Sequence, residues 1–215
     1  MLLKLIIIIG FITIGAITTV KSSIRTENSS ICFIRNIKYT DEYLYTSHEL
    51  DRFDHDINNG LDKRKVFVNE MQPKYMNHFR QASWIVQPVF DMEKTFYLSN
   101  LEYPNHVLCA SSEHLDRFNH RRIVNLNRMA SENQNLNNTK CMWRLEKQTK
   151  GGESEFIVWN IRYKEPLYAV SFLFKTARTN KRNIYTWHKK PDSKQFIWNF
   201  NCLIKRDVFN QLTSV

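Results

Sequence analysis

The sequence predicts an all-β protein built from three copies of a four-strand unit, and three observations carry that expectation. The stretch FIRNIKYTDEYLYTS at 33–47 returns as YLSNLEYPNHVLCAS at 97–111 and as IVWNIRYKEPLYAVS at 157–171. These copies align Asn36 with Asn100 and Asn160, Tyr39 with Tyr103 and Tyr163, and Ser47 with Ser111 and Ser171. Each copy is followed by a basic segment that turns β-branched or aromatic, and then by a tryptophan in an apolar context: Trp84, Trp143 and Trp198. Aligned features recurring in one order three times mark an internal repeat.

Each unit resolves into four strands on composition. The first is the aromatic run that ends at the repeated Asn. The second is of YLYTS type. The third begins with cations: KRKVFV from Lys63, RRIVNL from Arg121 and KRNIYTW from Lys181. The fourth carries the tryptophan, in SWIVQPV, CMWRLEK and FIWNFNC. Alternation and β-branched or aromatic residues dominate throughout, with little helical periodicity. The exception is the HELDRF segment, expected to form a helical turn between the second and third strands. It recurs as HLDRFNH at 114–120 and has no counterpart in the third unit. The units span about 31–92, 95–150 and 154–205, one domain over 31–205. Units of this length are too long and too few for propeller blades, whereas three sets of four strands suit one small barrel capped by three hairpins.

The opening MLLKLIIIIGFITIGAITTV, with Lys4 before an apolar run and small residues after it, reads as a signal peptide over residues 1–22, cleaved near Val20 to Ser23. Thr13, Thr18 and Thr19 interrupt the roughly 20 apolar residues that a membrane span requires. No anchor is expected after its removal, so the mature chain should be soluble, secreted and extracellular. Without residues 1–20 it has 30 basic and 21 acidic side chains, a formal charge of +9. Four cysteines, Cys32, Cys109, Cys141 and Cys202, are an even number for an oxidising compartment and leave three pairings open. None forms a CxxC, so neither zinc nor a thioredoxin-like centre is expected. Asn28 and Asn137 head N-glycosylation sequons.

The aromatic strand, the YLYxS strand and the closing tryptophan, three times over, resemble the β-trefoil proteins: ricin-type lectins, fibroblast growth factors and plant Kunitz-type inhibitors. The resemblance covers 31–205. It implies a β-trefoil of three pseudo-repeats, in which barrel closure brings the first and last strands together. Cys32 would then pair with Cys202, leaving Cys109 for Cys141 within the second unit. Ricin-type sugar sites carry a Gln-x-Trp triplet late in each unit. The corresponding triplets here are ASW, CMW and FIW, so an ordinary galactose site is not expected.

The Trp, Asn and Tyr columns are expected to be structural, with the indoles in the core, the amides satisfying backbone at a repeated turn or bulge, and each Tyr ring filling a third of the barrel. His48, His55, His114 and His120 are expected in surface loops rather than around a metal. No GxSxG, HExxH or P-loop occurs, and no carboxylate pair has telling spacing, so neither an enzyme nor a cofactor is expected. The candidate ligand-binding residues are the cations in matching positions: Lys63, Arg64, Lys65, Arg121, Arg122, Lys181 and Arg182, with Arg178, Lys189 and Lys190 extending the third cluster. Threefold placement would gather them at one end of the barrel, where clustered fields attract a polyanion. A sulfated or other extracellular glycan is the first partner expected, and no nucleic acid. The alternative is an extracellular protein, such as a protease or a receptor, met through the loops at 69–80 and 131–139.

Overall fold

The computed structural model describes residues 29–50, 63–70, 76–115, 121–129, 138–149, 151–171, 174–176 and 179–203. The leader at 1–22 and the sequons at Asn28 and Asn137 lie outside them, as do Arg178, His55 and His120. The described strands are β1 (Ser30–Asn36), β2 (Glu42–Leu50), β3 (Lys63–Glu70), β4 (Ser83–Pro88), β5 (Thr95–Asn100), β6 (His106–Leu115) and β7 (Arg122–Arg128). They continue with β8 (Trp143–Lys147), β9 (Glu155–Asn160), β10 (Leu167–Ala169), β11 (Phe174–Thr176), β12 (Thr179–Thr186) and β13 (Ile197–Leu203).

Pairing closes six of these strands into a ring, β1 to β13, β9, β8, β5, β4 and back to β1, all antiparallel. Closure removes the exposed edges that would otherwise template aggregation. The hairpins β2–β3, β6–β7 and β10–β12 stand on this ring, and β3, β7 and β12 pair with one another in a triangle that caps one end.

The repeated residues explain the closure. Across the ring Trp84 faces Asn100, Trp143 faces Asn160 and Trp198 faces Asn36, each in direct register. All three indoles are 0% exposed. Their Nε1–H groups donate to the carbonyls of Leu44 (2.9 Å), Leu108 (2.8 Å) and Leu167 (3.0 Å), tying each closing strand to the hairpin of its own unit. A buried indole N–H requires such a partner, and the large apolar body fills the barrel at the same time.

The amides work between units. Asn100 Nδ2 donates to Gln81 O (2.8 Å) and Ser83 O (3.2 Å), while its Oδ1 accepts from Glu102 N (3.0 Å). Asn36 does the same with Gln195 O, Ile197 O and Lys38 N, and Asn160 with Lys140 O and Tyr163 N. Each amide therefore pins the end of one unit to the turn that begins the next. Replacing Asn100 by alanine strands buried backbone groups that an apolar methyl cannot satisfy. The expected loss is about 2 kcal/mol, read as a lower urea midpoint at unchanged slope. A change indistinguishable from zero would show that water replaces the amide there.

Cys32 and Cys202 sit opposite each other in the β1–β13 register and are disulfide-bonded, Cα–Cα 3.9 Å apart. Cys109 of β6 is bonded to Cys141, in the short turn before β8.

Two local expectations change. The start of HELDRF, at 48–50, continues β2 rather than forming a helical turn, because its backbone is engaged by β3 through Leu50 and Arg64; the rest lies outside the described residues. The segment at 69–80, expected as a loop, contains the last residues of β3 and most of a helix, α1 (Met76–Ala82), with 71–75 outside the described residues. Seven residues are too few to show a 3.6-residue period. Contacts supply what periodicity does not: Phe79 lies edge-on to Phe33 at 5.0 Å, Ala82 is fully buried, and the Ser83 hydroxyl donates to Phe79 O at 2.7 Å.

Candidate functional site

The cap triangle has one register used three times. Arg64 faces Leu126, Arg122 faces Thr186 and Arg182 faces Val68. Side chains alternate along a strand, so the residues in step with each arginine, Val66 and Val68, Val124 and Leu126, Ile184 and Thr186, are buried. The three arginines consequently turn toward the molecule.

Each guanidinium lies over a ring of the tyrosine column: Arg64 over Tyr103 at 4.0 Å, Arg122 over Tyr163 at 3.9 Å and Arg182 over Tyr39 at 3.8 Å. These rings are partly buried at the margin of the core, so they do not fill the barrel as the sequence implied but serve as platforms. Arg182 is only 8% exposed. Its Nε donates to both carboxylate oxygens of Glu42 (2.9 and 2.7 Å), and Nη1 donates to Ser171 O (2.6 Å). Burial raises the Glu42 pKa, against the opposing pull of Arg182. Burial likewise raises that of Tyr39. Arg122 Nε donates to Glu165 Oε1 (3.1 Å), whose other oxygen accepts from Thr186 Oγ1 (2.7 Å).

The middle unit is chemically different. Where the others place Glu42 and Glu165 just after the tyrosine, it places His106, edge-on to Tyr103 with ring centroids 5.8 Å apart. The Tyr103 hydroxyl is 2.5 Å from His48 Nδ1, and Arg64 Nη1 donates to His48 O at 3.0 Å.

The opposite parity carries the remaining cations. Lys63 and Lys181 flank their arginines on the other strand face, as does Arg121 immediately before β7, and Lys65 shares that parity; all four are half-buried. Lys181 Nζ lies 5.1 Å from the Phe67 centroid, and Arg121 lies 4.6 Å from that of Tyr185. The seven predicted cations are thus brought to one end and divided there: Arg64, Arg122 and Arg182 lean inward, while Lys63, Lys65, Arg121 and Lys181 line the outer rim.

Sequence reasoning missed the carboxylates that engage the inward arginines and the platform role of the tyrosines. A signal existed: in each third strand the arginine is in step with two buried residues. Among the described residues no group of three His, Cys, Asp or Glu is placed to hold a metal, and no helix is long and apolar enough to cross a membrane.

No protein family and no curated protein matches this chain in sequence. Solved structures do match in fold. A salivary protein of the Cysteine and Tryptophan-Rich (CWRC) family from Culex quinquefasciatus superposes with a TM-score of 0.55 at 14% identity, over 80% of this chain and 93% of that one. An SDF2-like protein from Arabidopsis thaliana gives 0.55 at 12%, over 80% and 92%. ThreeFoil, a designed threefold-symmetric protein, gives 0.53 at 10%, over 80% and 99%. Identities this low speak to fold alone, and that fold is the β-trefoil.

Proposed function

We propose that this chain is a secreted, non-enzymatic binding protein, assembled from three four-strand units with β11 as an addition, that recognises polyanionic glycans through the outer rim of its cap. The observation that supports this reading is the parity of the cap strands. Carboxylates engage two of the inward arginines, and Lys63, Arg121 and Lys181 stand at equivalent positions of the opposite parity around one end, with Lys65 two residues beyond Lys63 on the same strand face. Clustered outward cations attract a flexible polyanion and release its counterions on binding. A sulfated glycosaminoglycan is the partner class that suits an extracellular site. The two disulfides fit an oxidising compartment, and the salivary neighbour offers a parallel in the same fold.

Heparin chromatography tests the reading. The wild-type protein is expected to elute above physiological salt. The triple variant Lys63→Gln/Arg121→Gln/Lys181→Gln should elute earlier, with the slope of log affinity against log salt smaller by about 3. Wild-type elution below physiological salt rules the reading out.

A protein partner is the competing occupant, and one observation favours it: Phe79, at the end of the segment expected to be a contact loop, is 44% exposed. The other expected contact segment, 131–139, lies mostly outside the described residues. Pull-down of an extracellular protein that is lost in Phe79→Ser, beside a silent heparin column, would establish this second reading.

A further inference from the structure

The threefold register provides an internal control for where the copies differ. Three residues on from Arg64, Arg122 and Arg182, on the opposite strand face, stand Phe67, Asn125 and Tyr185, and five residues on stand Asn69, Asn127 and Trp187. Beyond it the sequence reads Glu70-Met71-Gln72, Arg128-Met129-Ala130 and His188-Lys189-Lys190. The fold accepts asparagine at this position in two units, so barrel closure does not demand the indole.

Packing fixes Trp187 all the same. Its ring meets Tyr168 at 4.9 Å and stacks on Phe196 at 6.2 Å, with an interplanar angle of 25°. Tyr168 and Phe196 are buried, and the Trp187 amide donates to Pro166 O at 3.1 Å. Cations cover what the aromatics leave. Lys189 Nζ lies 4.3 Å from the indole centroid and Arg121 5.7 Å from it, while Arg121 also covers Tyr185 at 4.6 Å. Rings and cations therefore alternate in one cluster, Tyr185, Arg121, Trp187 and Lys189, beside the exposed His188 and Lys190. The core indoles all have hydrogen-bonded N–H groups, whereas the buried Trp187 Nε1 has no partner among the described residues. An unsatisfied buried donor costs stability, so the indole at this position is not explained by stability alone.

Resting on the polyanionic-glycan reading above, we propose that Trp187, Tyr185, Arg121 and Lys189 form a subsite for one anionic sugar residue, a sulfated or uronate-bearing pyranose, and give the rim its preference for saccharide over other polyanions. The apolar C–H face of a pyranose lies on the indole. Lys189, on an exposed flexible stem, leaves the ring to meet the sulfate or carboxylate, and Arg121 stays between the two rings. A neutral sugar does not use the cations, and a linear polyphosphate has no C–H face for the indole, so the combination selects for both properties at once.

The test compares affinities for two probes of similar charge, a sulfated heparin tetrasaccharide and a linear polyphosphate, with thermal unfolding recorded for every variant. In Trp187→Leu the ratio of tetrasaccharide to polyphosphate affinity is expected to fall about tenfold, the size of one partly desolvated ring interaction, and Trp187→Phe should restore most of it. Should Trp187→Leu destabilise the fold, Lys189→Gln at the exposed end of the cluster provides the second measurement, with the tetrasaccharide weakened more than the polyphosphate. An unchanged ratio in both variants overturns the subsite while leaving the rim in place. Failure of the wild-type protein to bind either probe removes the rim reading and the subsite with it.

Discussion

Alanine in place of both Cys32 and Cys202 is expected to lower the free energy of unfolding by about 5 kcal/mol. The bridge spans 170 residues of sequence, so in the unfolded chain it closes a loop comprising most of the described protein. Cross-linking so long a loop removes a large share of the denatured ensemble's entropy, and the loss grows with the logarithm of loop length. The second bridge spans 32 residues, so the Cys109→Ala/Cys141→Ala variant should lose less, about 4 kcal/mol. Alanine is preferred to serine because Cys32 is 0% exposed and a hydroxyl there would be a buried polar group. Guanidinium unfolding of the two double variants beside the wild-type protein provides the measurement. If removing the short-loop bridge proves the more damaging, native packing around the sulfurs outweighs chain entropy.

Arg182→Ala is expected to destabilise by about 3 to 5 kcal/mol, far more than the loss of a surface cation. The side chains of Arg182 and Glu42 are only 10% and 16% exposed, so removing the guanidinium leaves a carboxylate that is largely shielded from water. It also uncovers the Tyr39 ring and frees the Ser171 carbonyl. The double variant Arg182→Met/Glu42→Leu should recover much of the loss, because two apolar chains of similar length leave no stranded charge. Denaturant midpoints of the single and double variants decide this. A single variant within about 0.5 kcal/mol of wild type would place the pair among ordinary surface salt bridges. Heparin affinity per folded molecule should change less in Arg182→Ala than in the rim triple variant, since Arg182 points inward.

The architecture was legible because the same physical task recurs three times. An indole must fill the barrel and satisfy its N–H, and an amide must satisfy backbone at the junction of two units, so Trp84, Trp143 and Trp198 and Asn36, Asn100 and Asn160 stand out as columns. The division of the cations was partly legible. Arg64 is in step with Val66 and Val68, but a guanidinium at the start of a strand reads as solvent-exposed until its partners are known. Those partners come from far along the chain: Glu42 and Arg182 are 140 residues apart. Helix α1 was not legible, since it is shorter than two helical turns and is stabilised through Phe33 and Ala82 rather than by its own pattern.

By itself, then, the sequence determined the β class and marked the Trp and Asn columns that meet across the closed ring. These are set by side-chain chemistry repeated at fixed spacing, which survives in one dimension. Only the tertiary structure decided which arginines lean inward onto tyrosines and carboxylates, and that Arg121 and Lys189 both come to lie over the Trp187 ring. That outcome depends on strand parity and on contacts between distant units, and a one-residue change of register would exchange the two faces.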